Sequence, residues 1–304
     1  MKKTFKLLVT LTLLLFVGFV LIQKKDIPIE ELIPKYTNEF SKFVDLDGMK
    51  VHYQIEGSGN PIVLIHGTGS CLQTWDAWTD SLKKYYTVIR IDMPGFGLTG
   101  PRPDKDYSIK MYAKFLDDFV TKLQLDTFAL AGNSLGGQIC WYYTATYPEK
   151  VSKEILIDPA GFYNKKSNSL VFKLAKKKWF ADIMKKSDTK LMVNNTLKEV
   201  YFDQSKISDA TKQMYYDMSM RTGNREAFTD RVQSIGKDKV LNLSEINTPT
   251  LIMWGREDLL IDIALLDSFM VIPHVQKIVY EQVGHSPQEE IPTRSVEDAM
   301  NFLK

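Results

Sequence analysis

Residues 127–137 read TFALAGNSLGG, and this stretch decides the fold. Its first half, TFALAG, is a short apolar run that predicts a buried strand, and an apolar stretch from Leu135 to Tyr147 predicts a helix. Between them stands a G-x-S-x-G pattern, Gly132-Asn133-Ser134-Leu135-Gly136. On such a strand-to-helix turn the serine is exposed, because the flanking glycines permit the tight backbone approach. The stretch therefore predicts a nucleophile, Ser134.

The chain on both sides of this turn alternates strands and helices. Further apolar strands are predicted in PIVLIHG (61–67), TVIRID (87–92), KEILIDP (153–159), TPTLIMWG (248–255) and QKIVYE (276–281). Strands that alternate with helices build a mostly parallel sheet with helices on both faces. Residues 162–240 break the pattern with helical stretches and no convincing strand. We therefore expect one α/β core, 42–161 and 241–304, interrupted by a helical insertion, 162–240.

The composition limits the classes of function. The chain has 304 residues, 44% hydrophobic and 25% charged, which are ordinary values for a globular protein and exclude a disordered chain. A net charge of +2 gives no basic field for nucleic acid, so no nucleic-acid partner is expected. The two cysteines, Cys71 and Cys140, are too few for a disulfide framework or a cysteine metal site.

The N-terminus resembles a membrane-targeting segment. Three lysines, Lys2, Lys3 and Lys6, precede an uncharged run from Leu7 to Ile22. We interpret residues 1–22 as an uncleaved single membrane anchor, followed by a tether over 23–41, with the catalytic domain outside the cytoplasm. The alternative is a cleaved signal peptide and a secreted protein, although the end of the run has no small-x-small cleavage site.

A serine nucleophile needs a base, and the chain has four histidines. His285 follows the last predicted strand, so it belongs to the same sheet edge as Ser134 and is the predicted general base. We interpret His66, at the end of an early strand, as shaping its turn. His52, inside a strand, is interpreted as a surface or packing residue, and His274 as a solvated one.

The base needs a carboxylate to orient it, and Asp258 is the predicted acid. It follows the strand TPTLIMWG and stands between Ser134 and His285 in the chain. Its carboxylate would accept the imidazole N–H and stabilise the imidazolium. Two alternatives stay open, the adjacent Glu257 and Asp158, which follows the strand before the insertion.

The oxyanion of the tetrahedral intermediate needs two hydrogen-bond donors. The residue after the nucleophile supplies one backbone N–H, that of Leu135. The loop after the first buried strand supplies the second, for which the N–H of Thr68 is the candidate.

Several motifs together carry a family resemblance. They are HGTG (66–69), DMPGFG (92–97), GNSLGG (132–137), WGREDLL (254–260) and GHSPQEE (284–290). In order and spacing they resemble the α/β-hydrolase superfamily, in the branch that holds esterases, C–C bond hydrolases, haloperoxidases, epoxide hydrolases and haloalkane dehalogenases. The resemblance covers residues 43–304. It implies a sheet of about eight strands and makes the insertion 162–240 a lid over the active site.

The resemblance also implies site residues, and they agree with those predicted above: Ser134, Asp258 and His285, with the amides of Thr68 and Leu135. Dehalogenases and epoxide hydrolases of this branch carry Asp where this chain has Ser134, so acyl transfer to water is favoured. C–C hydrolases usually have a longer glycine-rich run than HGTGSC, so that activity is a minority interpretation.

These observations favour a serine hydrolase that cleaves small carboxylic esters, including lipid-derived ones, through an acyl-enzyme and without a cofactor or metal ion. Methionine and phenylalanine side chains in the lid suit an acyl substrate, although helices that cover a sheet need an apolar face in any case. The alternatives are an acyltransferase or perhydrolase, a C–C hydrolase on the same triad, and a non-catalytic, membrane-tethered binding protein. The oligomeric state is left open.

Overall fold

The computed structural model describes residues 23–162, 170–236 and 241–304, and its centre is one eight-stranded sheet. The strand order is β1-β2-β4-β3-β5-β6-β7-β8, in which β2 is antiparallel to β1 and β4, and the remaining neighbours are parallel. The strands are β1 Ser41–Leu46, β2 Met49–Gly57, β3 Asn60–Ile65, β4 Tyr86–Ile91, β5 Phe128–Asn133, β6 Val151–Ile157, β7 Thr250–Gly255 and β8 Val275–Tyr280. The mostly parallel, eight-stranded prediction is confirmed.

Helices lie on both faces of this sheet, as predicted. In chain order they are α1 Ile29–Tyr36, α2 Asp76–Leu82, α3 Ile109–Lys122, α4 Leu135–Thr146, α5 Leu170–Ala175, α6 Lys178–Met184, α7 Lys190–Val200, α8 Asp209–Met220, α9 Asn224–Ser234, α10 Leu266–Phe269, α11 Pro287–Glu290 and α12 Pro292–Leu303. Helix α10 has a single turn. A 3₁₀ turn at Ile263–Leu265 precedes it.

The core has two halves because side chains alternate across each strand. On β3, Val63 and Ile65 belong to the half that contains Phe115 and Trp141, whereas Ile62 and Leu64 belong to the half that contains Trp75 and Trp78. Strands β5 and β7 are buried at every residue. Because helices cover both faces, these strands carry continuous apolar runs rather than an alternating pattern.

Helix α3 illustrates how local sequence sets an element. The Ser108 hydroxyl accepts the Met111 N–H at 3.2 Å and so caps the first turn. Phe115 and Phe119 then recur at the four-residue spacing that keeps side chains on one face, and both are fully buried. The capped end and the apolar stripe fix both the start of the helix and the face that it packs on the sheet.

The segment between β6 and β7 contains helices α5 to α9 and no strand among its described residues. These helices cover the carboxyl ends of the central strands. They form their own apolar contacts, such as the cluster of Ala175, Met184 and Val232.

Residues 23–41, for which we expected a tether, contain helix α1. Its Leu32 is fully buried beside Cys71, Leu98 and Met218. Asp26 forms an ion pair with Arg225 of α9, and the Ile27 N–H donates to the Met220 carbonyl at 2.8 Å. This segment therefore packs on both the core and the insertion. Ile29, Leu32, Ile33 and Tyr36 recur at helical spacing and belong to one apolar cluster, a period that the interpretation as a tether overlooked.

The predicted membrane localisation is corrected. Within the three described ranges, no helix combines the length and the apolar character needed to cross a bilayer. The run from Leu7 to Ile22, on which we placed the anchor, lies outside the described residues, as does the alternative signal peptide. The run has 16 residues, fewer than the roughly 20 that a spanning helix needs. The expectation of a single anchor with an extracytoplasmic domain is therefore withdrawn.

Candidate active site

Ser134 lies on a sharp turn between β5 and α4. Its φ of 56° and ψ of −116° are unusual for an L-residue, and they aim the side chain away from both elements. Its backbone N–H donates to the Ile157 carbonyl at 3.0 Å, and its carbonyl accepts the Ala160 N–H at 3.0 Å. The following strand thus holds the strained residue in place on both sides.

The glycines of the motif are required by close packing. A Cβ at Gly136 would lie 2.1 Å from the Ile65 carbonyl oxygen, and a Cβ at Gly132 would lie 2.4 Å from the backbone of Gly136. Neither position has room for a side chain. The glycines therefore let β5 and α4 approach each other and β3 closely enough to form the turn at Ser134.

His285 and Asp258 form a hydrogen-bonded pair beside this turn. The His285 Nδ1 lies 2.7 Å from the Asp258 Oδ2, and both residues are buried. The Asp258 Oδ1 accepts the backbone N–H groups of Leu260 and Ile261 at 2.7 and 3.0 Å. With its oxygens so engaged, the carboxylate is fixed and presents one oxygen to the ring. This arrangement orients an imidazole for proton transfer.

The insertion holds the loop that carries His285. The His285 N–H donates to the carbonyl of Val200, the last residue of α7, at 2.7 Å. The Glu290 carboxylate accepts the N–H groups of Gly284, Phe202 and Asp203 at 2.7, 3.2 and 2.7 Å. Three of these hydrogen bonds join the end of α7 to the histidine loop and α11, and the fourth, from Gly284, holds Glu290 to the loop itself. The sequence shows Glu290 inside GHSPQEE but gives it no role.

Asn133 is a second residue that sequence reasoning missed. Its side-chain amide donates to the His285 carbonyl at 2.9 Å and to the Ile157 carbonyl at 3.2 Å. It therefore connects the nucleophile turn with the histidine loop. The signal in the sequence was a polar residue at the end of an apolar strand, directly before Ser134.

Two backbone N–H groups are free to bind an oxyanion. Leu135 is the first residue of α4, where helical N–H groups have no acceptor within the helix. Thr68 lies in the loop after β3 and contacts the same cavity as Ser134. Within the described ranges, neither N–H has a hydrogen-bond acceptor. The sequence predicted these two N–H groups as the oxyanion donors, and that role stays a prediction.

A cavity between the nucleophile turn and the insertion connects these groups. Ser134, His285, Thr68 and Ser70 line it on the core side. Polar side chains such as Thr189, Asn224 and Arg225 also reach it, and an apolar surface is supplied by Phe96, Val171, Phe172, Met184, Met192, Val193, Leu197, Val200, Met218, Phe228 and Leu260. An apolar cavity that ends at a serine and a histidine can accept an acyl chain and place its carbonyl beside Ser134.

The other histidines lie elsewhere. His66 is fully buried, its Nε2 accepts the Met93 N–H at 3.0 Å, and burial lowers the pKa of the ring. It holds the loop after β3, as interpreted from the sequence. His52 is also fully buried and pairs with Asp92 at 2.7 Å, so it is a packing residue and not a surface one. His274 is exposed.

The two alternative acids differ in position. Glu257 is half-buried, and its carboxylate accepts the Val283 N–H at 3.0 Å. Asp158 is fully buried close to the pair, since one oxygen of Asp158, one of Asp258 and a ring nitrogen of His285 lie within 4.8 Å of one another. The hydrogen bond between His285 and Asp258 uses the atoms that a cation would need, so nothing assigns this cluster as a metal site.

Comparison with known proteins agrees with this geometry. A family model described as alpha/beta hydrolase fold matches residues 60–292. The chain is 27% identical over 269 residues to 2-hydroxy-6-oxo-2,4-heptadienoate hydrolase of Pseudomonas putida F1, covering 83% of this chain and 92% of that protein. It is 29% identical over 266 residues to Lipase 3 of Moraxella sp. TA144, covering 81% and 77%.

Among solved structures, a bacterial membrane phospholipase A superimposes with a TM-score of 0.77 at 24% identity, covering 99% of this chain and 98% of that one. The chain therefore belongs to the alpha/beta hydrolase fold family. Its relatives are named hydrolases and lipases, and it is an enzyme of that family.

Proposed function

We propose that this protein is a serine hydrolase that cleaves carboxylic esters through an acyl-enzyme on Ser134. The observation that carries the proposal is the meeting of Ser134 with the His285–Asp258 pair at one end of an apolar cavity. A serine alone is a weak nucleophile, and a histidine oriented by a carboxylate is what activates it.

The proposed reaction has two halves. The Ser134 Oγ attacks the ester carbonyl while His285 takes its proton, and Asp258 stabilises the imidazolium. The N–H groups of Thr68 and Leu135 bind the oxyanion, each worth about 3 kcal/mol in the transition state. His285 then protonates the departing alcohol, which leaves the acyl group on Ser134. Water, deprotonated by His285, attacks the acyl-enzyme and releases the acid.

The substrate class is proposed from the cavity. Its apolar lining favours an acyl chain over a charged group, because burying an unpaired charge there costs several kcal/mol. The names of the relatives support this choice, since one is a lipase and a structural neighbour is a phospholipase A. Lipid-derived esters are therefore the first substrates to examine.

The test uses the full chain, because α1 packs on the core, and compares it with Ser134→Ala. Both proteins are treated with a fluorophosphonate probe and then assayed with p-nitrophenyl esters of graded chain length. We expect labelling and turnover in the native protein only, with a maximum at one chain length. A folded native protein with no Ser134-dependent labelling would overturn the proposal and favour a non-catalytic binding protein.

A second candidate is hydrolysis of a 2-hydroxy-6-oxo-dienoate. The observation that favours it is the match to a hydrolase of that substrate over 92% of its length. Such a compound is assayed beside the esters, and a higher kcat/KM for the dienoate would make it the substrate class. Added alcohols in the ester assay measure acyl transfer, which would divert the same acyl-enzyme from water.

A further inference from the structure

Asp158 is a buried acid that the proposed mechanism does not use. It directly follows β6 and takes a φ of 43°, which is uncommon for a residue other than glycine. Its Oδ1 accepts the Gly255 N–H at 2.9 Å. Its Oδ2 is fully enclosed and has no hydrogen-bond partner among the described residues. A strained, buried carboxyl with a free oxygen needs an explanation.

The Asp158 carboxyl belongs to a crowded site. Oxygens of Asp158 and Asp258 and a nitrogen of His285 lie within 4.8 Å of one another, and all three residues are buried. Two carboxylates this close, shielded from water, do not both stay ionised, because their repulsion is little screened. One of the two must hold a proton at neutral pH.

The hydrogen bonds decide which carboxyl holds it. Asp258 accepts two backbone N–H groups and faces the His285 ring, and all three contacts favour its ionised form. Asp158 accepts one N–H, and no lysine or arginine of the described chain pairs with it. The proton therefore belongs on Asp158.

The surrounding groups do not reverse this assignment. Besides Asp258 and His285, the ionisable side chains that face Asp158 are Glu290 of α11 and Tyr280 at the end of β8. The charges of Asp258 and Glu290 both disfavour a negative charge on Asp158. Burial, followed by the charge of Asp258, raises the pKa of Asp158 well above its ordinary value.

We propose that Asp158 is a positioning residue that works as a neutral carboxylic acid and donates a hydrogen bond from Oδ2 to Asp258. This inference rests on the proposed function. The bond fixes Asp258 and reduces the negative charge that it presents to His285. It thus keeps the imidazolium from being stabilised too strongly, so that His285 still releases its proton to the leaving alcohol near neutral pH.

The kinetic test compares Asp158→Ala and Asp158→Asn. The alanine variant removes the donor, and we expect its kcat/KM to fall about tenfold. In the plot of kcat/KM against pH, the acid limb, where activity is lost toward low pH, should move up by about half a pH unit. The asparagine variant is neutral, can accept from Gly255 and can donate to Asp258. It should recover most of the lost kcat/KM and return the acid limb to its position in the native protein. Glu154→Gln, which neutralises a buried acid of β6, is the matched control and should leave the acid limb in place.

Two kinetic results would overturn the inference. The first is an alanine variant with the native pH profile, and the second is an asparagine variant as impaired as the alanine variant, since that would require an ionised Asp158. If Asp158→Ala does not fold, the asparagine variant and the infrared measurement below decide.

Infrared spectroscopy reads the proton without catalysis. In a difference spectrum at neutral pH, the native protein should show the C=O stretch of a buried carboxylic acid that Asp158→Asn lacks. Glu154 and Glu289 have pKa values raised to about 7, and their bands are common to both proteins and cancel in the difference. No band in the native protein refutes the inference even in an active enzyme. An inactive native protein that shows the band refutes only the proposed function.

Discussion

Ser134 adopts φ 56° and ψ −116°, a conformation that costs an L-residue about 1–3 kcal/mol. The turn needs this geometry to expose the hydroxyl, so activity and stability have opposite demands at one residue. We expect Ser134→Ala to lose turnover by about a thousandfold or more without a large change in stability. Ester hydrolysis and urea unfolding of the same preparation check both statements.

Ser134→Gly separates the two demands. It should be equally inactive but more stable than Ser134→Ala by about 1 kcal/mol, because glycine populates positive φ freely. Urea unfolding of the two inactive variants measures the difference. A glycine variant less stable than the alanine variant would mean that the turn is not strained.

Asp258 determines which nitrogen of His285 carries the proton. Asp258→Asn can present an N–H to the His285 Nδ1 and so favour the wrong tautomer, and we expect kcat to fall by about 10³–10⁴. Glu257→Gln is the matched control, because this half-buried side chain keeps an oxygen that can accept the Val283 N–H, and it should stay within about twofold. A large loss in the control with a small loss in Asp258→Asn would make Glu257 the acid.

At the scale of elements, three hydroxyl and carboxyl groups connect the insertion with the core. Tyr215 of α8 donates to Glu289 of α11 at 2.9 Å and contacts Ser70, in the loop after β3, at 3.1 Å. Burial raises the pKa of Glu289 to about 7, against hydrogen bonds from Thr74, Tyr215 and Tyr201 that favour the ionised form. Its proton state therefore changes near neutral pH.

The sign of this effect follows from linkage. A carboxyl whose pKa is raised in the packed state stabilises that state at low pH and loses the contribution as pH rises toward about 7. We expect amide hydrogen exchange in α8, after correction for the intrinsic chemical exchange rate, to become about tenfold faster between pH 5 and pH 8. Glu289→Gln should remove this dependence. Exchange that slows with pH in the native protein would contradict the prediction.

At the scale of the molecule, the fold was predictable because the central strands are covered on both faces and therefore read as continuous apolar runs. Ser134, His285 and Asp258 were predictable because parallel strands bring their carboxyl ends to one edge. The contacts of Asp158 and Glu289 were not, since they depend on distances between residues far apart in sequence. Helix α1 was missed, although Ile29, Leu32, Ile33 and Tyr36 recur at helical spacing, because Pro28 and Pro34 suggested a tether.

The pH dependence of stability is also a property of the whole molecule. Glu154 of the central strand β6 is fully buried, accepts from Thr144 and Thr250, and has a pKa raised by burial to about 7. The folded state therefore keeps a proton that the unfolded state loses above about pH 4.5, and stability falls toward pH 7.

Glu154→Gln stays neutral, so its free energy of unfolding relative to the native protein should rise with pH, by up to about 3 kcal/mol between pH 4.5 and 7.5. Urea unfolding at several pH values measures it. A difference that is constant with pH would mean that Glu154 is already ionised when folded.

The joining of α7 to the histidine loop limits how the enzyme can be re-engineered. The Val200 carbonyl accepts the His285 N–H, and the Glu290 carboxylate accepts the N–H groups of Phe202, Asp203 and Gly284. The insertion is therefore not an exchangeable cassette, because its middle is part of the scaffold that supports His285, the proposed general base. A graft intended to change substrate range should replace the helices on either side and leave residues 200–203 native.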